Sequence, residues 1–249
     1  MSRKTKSRWA ARPLNGKSAS LLPHDHPAVV AGRTIYPTTV YAPSRDGGAW
    51  VLKSATNSRK IGGEILKGRW KGFPAYTLTL EERASCPTTC RHWRSCYGNK
   101  MHWAKRMQPG PDLEWQLVRE VALLDIEHPE GFAVRLHELG DFYSVEYVEL
   151  WGKLLERHPS LHIWGYTAHL DGPIAAALTA LVKRHGGRFA MRFSNAPFPF
   201  AFPATITIET ERQKPADAIL CPEQVGKTES CSGCALCWQT KRRIAFLQH

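Results

Sequence analysis

The stretch Phe132–Thr167, FAVRLHELGDFYSVEYVELWGKLLERHPSLHIWGYT, decides the fold class. Phe132 to Glu138 is a short apolar run of strand length, and it ends on Gly140 and Asp141. Ser144 stands where a helix cap belongs, and Val145 to Arg157 sets Leu150, Leu154 and Leu155 on one inward face. Leu161 to Thr167 is the next strand. Strand, helix and strand in this order imply parallel strands joined by a right-handed crossover.

The same alternation runs outward in both directions. Phe73 to Leu80 reads as a strand, and Asp112 to Glu127 as a helix with Leu113, Leu117, Val121 and Leu124 on one face. Pro173 to His185 is a helix stopped by Gly186 and Gly187; Arg188 to Phe193 and Ala204 to Glu209 are strands. So many units in one sheet predict an α/β fold, a partial or closed (β/α) barrel of parallel strands, with a flat doubly wound sheet as the alternative. Polar residues gather at the expected strand C-termini: His137, Glu138 and Asp141, then Tyr166, Thr167 and His169, then Arg192, Ser194 and Asn195, then Glu209. Barrel sites are built at that rim. Glu138, Asp141, Tyr166, His169 and Arg192 are therefore the catalytic candidates, with Ser194 and Asn195 as cofactor-binding ones.

Ahead of this region the signals are weaker. Thr34 to Tyr41 reads as a short strand that Pro37 confines to an edge. Trp50 to Leu66 reads as a hairpin around SATNSRKIGG; Lys60 before Gly62 and Gly63 lacks the P-loop pattern and is read as a plain turn. His24, Asp25 and His26 beside a proline are read as solvated rather than ligating. Met1 to Leu22 is polar, with Arg3, Lys4, Lys6, Arg8, Arg12 and Lys17, and is expected to be a disordered tail. Residues 23–249 then form one domain. The net charge of +12 suits an anionic partner, nucleic acid held through the tail, or else the tail merely solubilises. No apolar run approaches bilayer length and the basic start is no secretory signal, so no membrane partner and a cytoplasmic location are expected.

Cytoplasmic thiols stay reduced, so the seven cysteines are read as metal ligands rather than disulfides. Cys231, Cys234 and Cys237 follow C-x2-C-x2-C, and Cys221 can complete four thiolates. This pattern favours an iron–sulfur cluster, with a closed zinc site as the alternative. Cys86, Cys90 and Cys96 follow C-x3-C-x5-C with His92 and His102 nearby. Three thiolates hold either a [4Fe–4S] cluster with one open position or a Cys3His zinc knuckle. One or two [4Fe–4S] clusters are thus expected.

The segments TLTLEERASCPTTCRHWRSCYGN, VRLHELGDFYSVEYVELW and GYTAH, with the closing CPEQ and CSGCALCW, resemble the phage gene product 88 family and its bacterial relatives from about Arg33 onward. A strand, a three-cysteine loop, a helix and a strand ending in a Gly-acid turn are, more distantly, similar to the start of radical S-adenosylmethionine enzymes. That resemblance implies cluster ligation by Cys86, Cys90 and Cys96, and S-adenosylmethionine binding at the Gly140-Asp141 turn. The four C-terminal cysteines would then be an auxiliary cluster. The spacing of the first group departs from the usual C-x3-C-x2-C. The expected function is an iron–sulfur enzyme acting at the barrel rim; the alternative is a non-catalytic, metal-stabilised nucleic-acid-binding protein that uses the tail and exposed tryptophans.

Overall fold

The computed structural model describes residues 22, 25–35, 40–46, 48–93 and 95–248; nearly all of the expected tail, with His24 and Pro37, lies outside the described residues. Helix α1 (Pro27–Ile35) precedes β1 (Val40–Tyr41), β2 (Lys53–Ser54), β3 (Ala75–Leu78), α2 (Glu82–Ser85) and β4 (Arg106–Met107). Then come α3 (Pro111–Glu127), β5 (Phe132–Leu136), α4 (Val145–Arg157), β6 (Leu161–Thr167), α5 (Gly172–His185), β7 (Phe189–Ser194) and β8 (Ala204–Ile208). The chain ends with β9 (Ala218–Leu220), α6 (Cys231–Cys234), α7 (Leu236–Gln239) and β10 (Arg243–Leu247).

Eight strands form one sheet in the order β2-β3-β5-β6-β7-β8-β10-β9, and every pairing but that of β2 with β3 is parallel. From β3 to β8 the spatial order follows the chain order without reversal, so the doubly wound alternative, which needs a switch point, is not the fold. The closed barrel is corrected too: among the described residues no pairing joins β2 to β9. The physical reason lies at the ends. β2 is two residues long and antiparallel, and β9 is three residues long, so neither edge offers the long parallel strand that closure requires.

Alternation along each strand separates the two faces of the sheet. Phe132, Val134 and Leu136 of β5 pack with Leu117, Val121, Val148 and Leu155 of α3 and α4 in the larger core. Ala133 of β5 and Trp164 of β6 point the other way and meet Ala75, Trp70, Ala235 and Trp238. Helices α3, α4 and α5 thus cover one face, while residues 55–73 and the C-terminal cysteine segment, with the short α6 and α7, cover the other. Trp70 and Trp238 seal that second layer, stacked 5.5 Å apart at 5°.

Two sequence expectations fail near the N-terminus. Where a strand over Thr34 to Tyr41 is predicted, helix α1 occupies Pro27–Ile35, residues 36–39 lie outside the described residues, and Val40–Tyr41 is extended. Pro27 opens the helix, where its missing N–H costs nothing. His26 Nδ1 accepts the Ala28 N–H at 3.1 Å, and buried Ala28 and Val29 dock against Ala84 and Trp93. The predicted hairpin over Trp50 to Leu66 is also absent among the described residues: Lys53–Ser54 pairs with β3 and Glu64 bridges to Pro74. The turn at Lys60 instead docks the C-terminal segment, since the Lys60 and Ile61 carbonyls accept the N–H groups of Cys231 and Ser232 at 2.8 and 2.9 Å. Among the described residues no helix is long and apolar enough to cross a membrane.

Candidate functional site

The first cysteine loop leaves the C-terminal edge of the sheet, where β3 runs through Leu80 into α2. Two buried arginines hold it in place. Arg106 is 1% exposed; it donates to the Glu82 carboxylate at 2.9 and 3.3 Å and to the carbonyls of Gly98, Met101 and Ala104 at 3.0, 3.0 and 3.1 Å. Arg83 donates to the Trp93 carbonyl and to Asn99 Oδ1, with its guanidinium 5.0 Å from the Trp93 ring centre. Burial works against the Arg83 charge, and the Cys96, Glu82, Cys86 and Cys90 side chains work for it. Burial pushes the Cys86 thiol well up, with Cys90, Asp141 and Cys96 adding to the effect, and pushes Cys96 up to about 12.

The turn after β5 packs onto this loop. Gly140 has φ +88, and a Cβ there would stand 2.6 Å from Leu80 Cβ and 2.7 Å from Ser85 Oγ, so only glycine fits beside the residue that precedes Cys86. Asp141 follows, buried. Its carboxylate accepts the N–H groups of Phe142 at 2.8 Å and Ala168 at 2.7 Å, tying the β5 turn to the end of β6. Burial raises the Asp141 pKa against the pull of His169 and those amides. His169 is fully buried, with Nε2 2.7 Å from the Phe142 carbonyl and Nδ1 without a hydrogen-bond partner among the described residues. Glu138 is half-buried and accepts Thr79 Oγ1 at 3.2 Å; the Tyr97 hydroxyl donates to its carbonyl.

The second group lies on the sheet face opposite α3, α4 and α5. Ser230 Oγ accepts the Gly233 N–H at 3.1 Å to start α6, and Ala235 at φ 61 separates α6 from α7. Tyr166 Oη is 2.7 Å from Cys237 Sγ, and the Arg135 guanidinium lies 4.3 Å from the Tyr166 ring centre. Burial pushes Cys221 up to about 11 and Cys231 up to about 12, with the neighbouring Cys237 thiol contributing to both. Arg192 is fully buried, and its guanidinium donates to five carbonyls: Cys237, Ala204, Arg242, Leu236 and Thr240.

The rim residues predicted from sequence therefore divide. Gly140, Asp141, Glu138 and His169 gather by the first thiol group, whereas Tyr166 and Arg192 serve the second. Asn195 sits apart: it donates to His92 Nε2 at 3.2 Å and accepts the Thr207 N–H at 2.8 Å, while Ser194 pairs with Thr205 in the sheet. His92 is also 2.9 Å from Thr207 Oγ1 and, through Nδ1, 3.2 Å from Ser95 Oγ, so its ring is turned toward β8, and His102 is exposed. Sequence reasoning missed Arg83, Arg106, Arg135 and Tyr97. Arg135 carried a signal, a lone cation inside the apolar run FAVRL at an inward register.

None of the seven cysteines is in a disulfide. Among the described residues no group of three or more His, Cys, Asp and Glu side chains is set to hold a metal ion as it stands. The donor set nevertheless suits a soft metal. Each group is all thiol, and the members stay close enough for Cys86 to respond to Cys90 and Cys96, and Cys231 to Cys237 and Cys221.

One prediction concerns His137, whose Nε2 is 3.0 Å from the Tyr147 hydroxyl and whose pKa burial lowers to about 3. The unfolded chain takes up this proton near pH ~6.5, but the folded one does not until far lower. The contribution is whole above that pH and is lost as pH falls toward about 3. Urea midpoints are expected to fall between about pH 6.5 and pH 4, and His137→Leu should flatten that slope. An unchanged slope in the variant would remove His137 from the account.

The gene product 88 family model matches residues 50–182, more than half of the chain. The match takes in the first thiol group and the Asp141 turn and ends before the second group. The Gene 88 protein of Mycobacterium phage L5 is 25% identical over 205 residues, covering 65% of this chain and 81% of that protein. No solved structure matches the chain significantly.

Proposed function

We propose that this chain, which belongs to the gene product 88 family, is an iron–sulfur protein that works as a radical S-adenosylmethionine-like enzyme. In this reading Cys86, Cys90 and Cys96 hold a cluster with one open position, and Cys221, Cys231, Cys234 and Cys237 hold a closed one. One observation carries it: the first three thiols, each half-buried, lie close enough to act on one another and on the buried Asp141 carboxyl at the C-terminal edge of a parallel sheet. A cluster held by Cys86, Cys90 and Cys96 would supply single-electron chemistry to a molecule bound beside it. The protein's own part is to position that molecule. The Gly140 turn brings backbone close to the loop; Asp141 fixes the β6 end through Ala168; and half-buried Glu138 offers a carboxylate at the edge.

Metal and sulfide analysis of anaerobically purified protein tests the reading. Iron with acid-labile sulfide is expected, and Cys96→Ala should lose the signal of the open cluster while keeping that of the other. Zinc at one or two equivalents without iron would sink it. The second reading, a non-catalytic, zinc- or iron–sulfur-stabilised nucleic-acid-binding protein, is favoured by Trp103, 92% exposed, with Lys105 close by and set over the Tyr41 ring at 5.6 Å.

A further inference from the structure

Two neighbouring residues of the first cysteine loop are fastened in different places. Trp93 is buried against Val29 and Ala84, and its carbonyl accepts a hydrogen bond from Arg83. His92 reaches the other half of the sheet: its Nε2 lies 2.9 Å from Thr207 Oγ1 and 3.2 Å from Asn195 Nδ2. Thr207 belongs to β8, and Asn195 follows directly on β7. The sheet order places β5, β6 and β7 between β3, which the loop leaves, and β8, which His92 meets. The chain from β3 to His92 therefore crosses the C-terminal rim that carries Asp141 and His169, and ties together two parts of an open sheet.

One backbone group fixes the hydrogen-bond roles at this contact. The Thr207 N–H, which can only donate, lies 2.8 Å from Asn195 Oδ1, so the oxygen of that amide faces β8 and its nitrogen faces His92. Asn195 is itself held, with its own N–H donating to the Thr205 carbonyl at 2.9 Å and its backbone at φ 54, a left-handed conformation that asparagine tolerates better than most residues. An amide nitrogen only donates, so His92 Nε2 accepts and is the unprotonated ring nitrogen. The proton then stands on Nδ1, which donates to Ser95 Oγ at 3.2 Å, next to Cys96. A histidine binds metal through the free lone pair of its neutral ring. Here Asn195 occupies the lone pair of Nε2, and protonated Nδ1 has none to offer. We infer that His92 is a positioning residue for the first thiol group and not its fourth ligand, held by Asn195 and Thr207 so that it sets where Cys90 and Cys96 stand. The inference rests on the reading of Cys86, Cys90 and Cys96 as a metal centre, and it removes His92 from the candidates for the fourth place there.

Hydrogen exchange of the full chain as purified, read by mass spectrometry with residues 221–237 as internal reference, tests the tether. His92→Ala and Asn195→Gly should each speed exchange across residues 87–96 by about tenfold and leave 221–237 at the wild-type rate, a split that a generally damaged fold would not give. Glycine is the choice at position 195 because it keeps the left-handed backbone while removing the amide. His92→Gln, whose side-chain oxygen can still accept from Asn195, should restore most of the protection. Metal analysis then separates a tether from a ligand: His92→Gln should keep the wild-type metal content, whichever metal that is. Loss of metal in His92→Gln while Asn195→Gly retains it would make His92 a ligand and overturn the inference. Wild-type exchange in both His92→Ala and Asn195→Gly would overturn it as well. Zinc without iron in the wild-type protein sinks the cluster reading but leaves both measurements standing, so the two fail separately.

Discussion

Arg192→Met is expected to leave the C-terminal cysteine segment undocked and to destabilise the protein by about 3–5 kcal/mol. The side chain is fully buried, and it alone bonds five carbonyls, one on the neighbouring strand β8 and four along residues 236–242. Methionine fills similar space but donates nothing, so each abandoned carbonyl keeps its desolvation cost of about 1–3 kcal/mol unless the segment moves out into water. The segment is therefore the part that gives way. It carries Cys231, Cys234, Cys237 and Trp238, and its release would open the layer that covers Trp164 and Trp70. Urea unfolding followed by tryptophan fluorescence is the measurement: a lowered midpoint with an early red shift is expected, and a wild-type curve would mean that the clamp is idle. Arg192→Lys should recover little, since one ammonium cannot span five acceptors.

Arg106→Met is expected to be similarly costly for a different reason. Its loss leaves Glu82, 3% exposed, as a buried carboxylate with its cation gone, a situation worth about 3–5 kcal/mol. It also frees the carbonyls of Gly98, Met101 and Ala104, which hold the return of the loop after Cys96. The double variant Glu82→Leu with Arg106→Met removes the stranded charge and should be more stable than Arg106→Met alone. Chemical denaturation of the wild type, Glu82→Leu, Arg106→Met and the double variant checks this order. A double variant as unstable as the sum of the two single changes would show that the pair is not coupled.

The parallel core was legible because its periodicities are strong. The helix over Val145–Arg157 and the strand over Leu161–Thr167 fall where the sequence places them, and Ser144 caps as expected, with Oγ accepting the Tyr147 N–H at 3.1 Å. Apolar alternation also says that β5 has two buried faces. It cannot say what lies on the second one, and here that is residues 55–73 together with the C-terminal cysteine segment, both remote from β5 in the chain. The role of Arg192 was obscure for the same reason. As a polar residue near a strand end it looks like a rim group, and only the fold reveals that backbone carbonyls use up its donors. The helix over Pro27–Ile35 was hidden by its β-branched residues Val29 and Val30, a local preference overridden where Ala28 and Val29 dock on Ala84 and Trp93. The buried arginines that shape the first cysteine loop were not legible, because charge in a sequence does not declare its burial.

The last strand of the sheet is not its edge. β10 lies between β8 and β9, and β9 has β10 as its sheet neighbour. A chain emerging from the ribosome can therefore stack β3 through β8 as each appears, but β9 must wait. Residues 221–237, with four cysteines, remain outside the finished sheet until Arg243–Leu247 clears the exit tunnel and slides into the gap. Translation thus gives these thiols an interval of exposure that the first group, released much earlier beside its own strand, passes through at a different time. On the reading proposed above, the two centres are filled in sequence, the N-terminal one before β10 has been made and the C-terminal one after it.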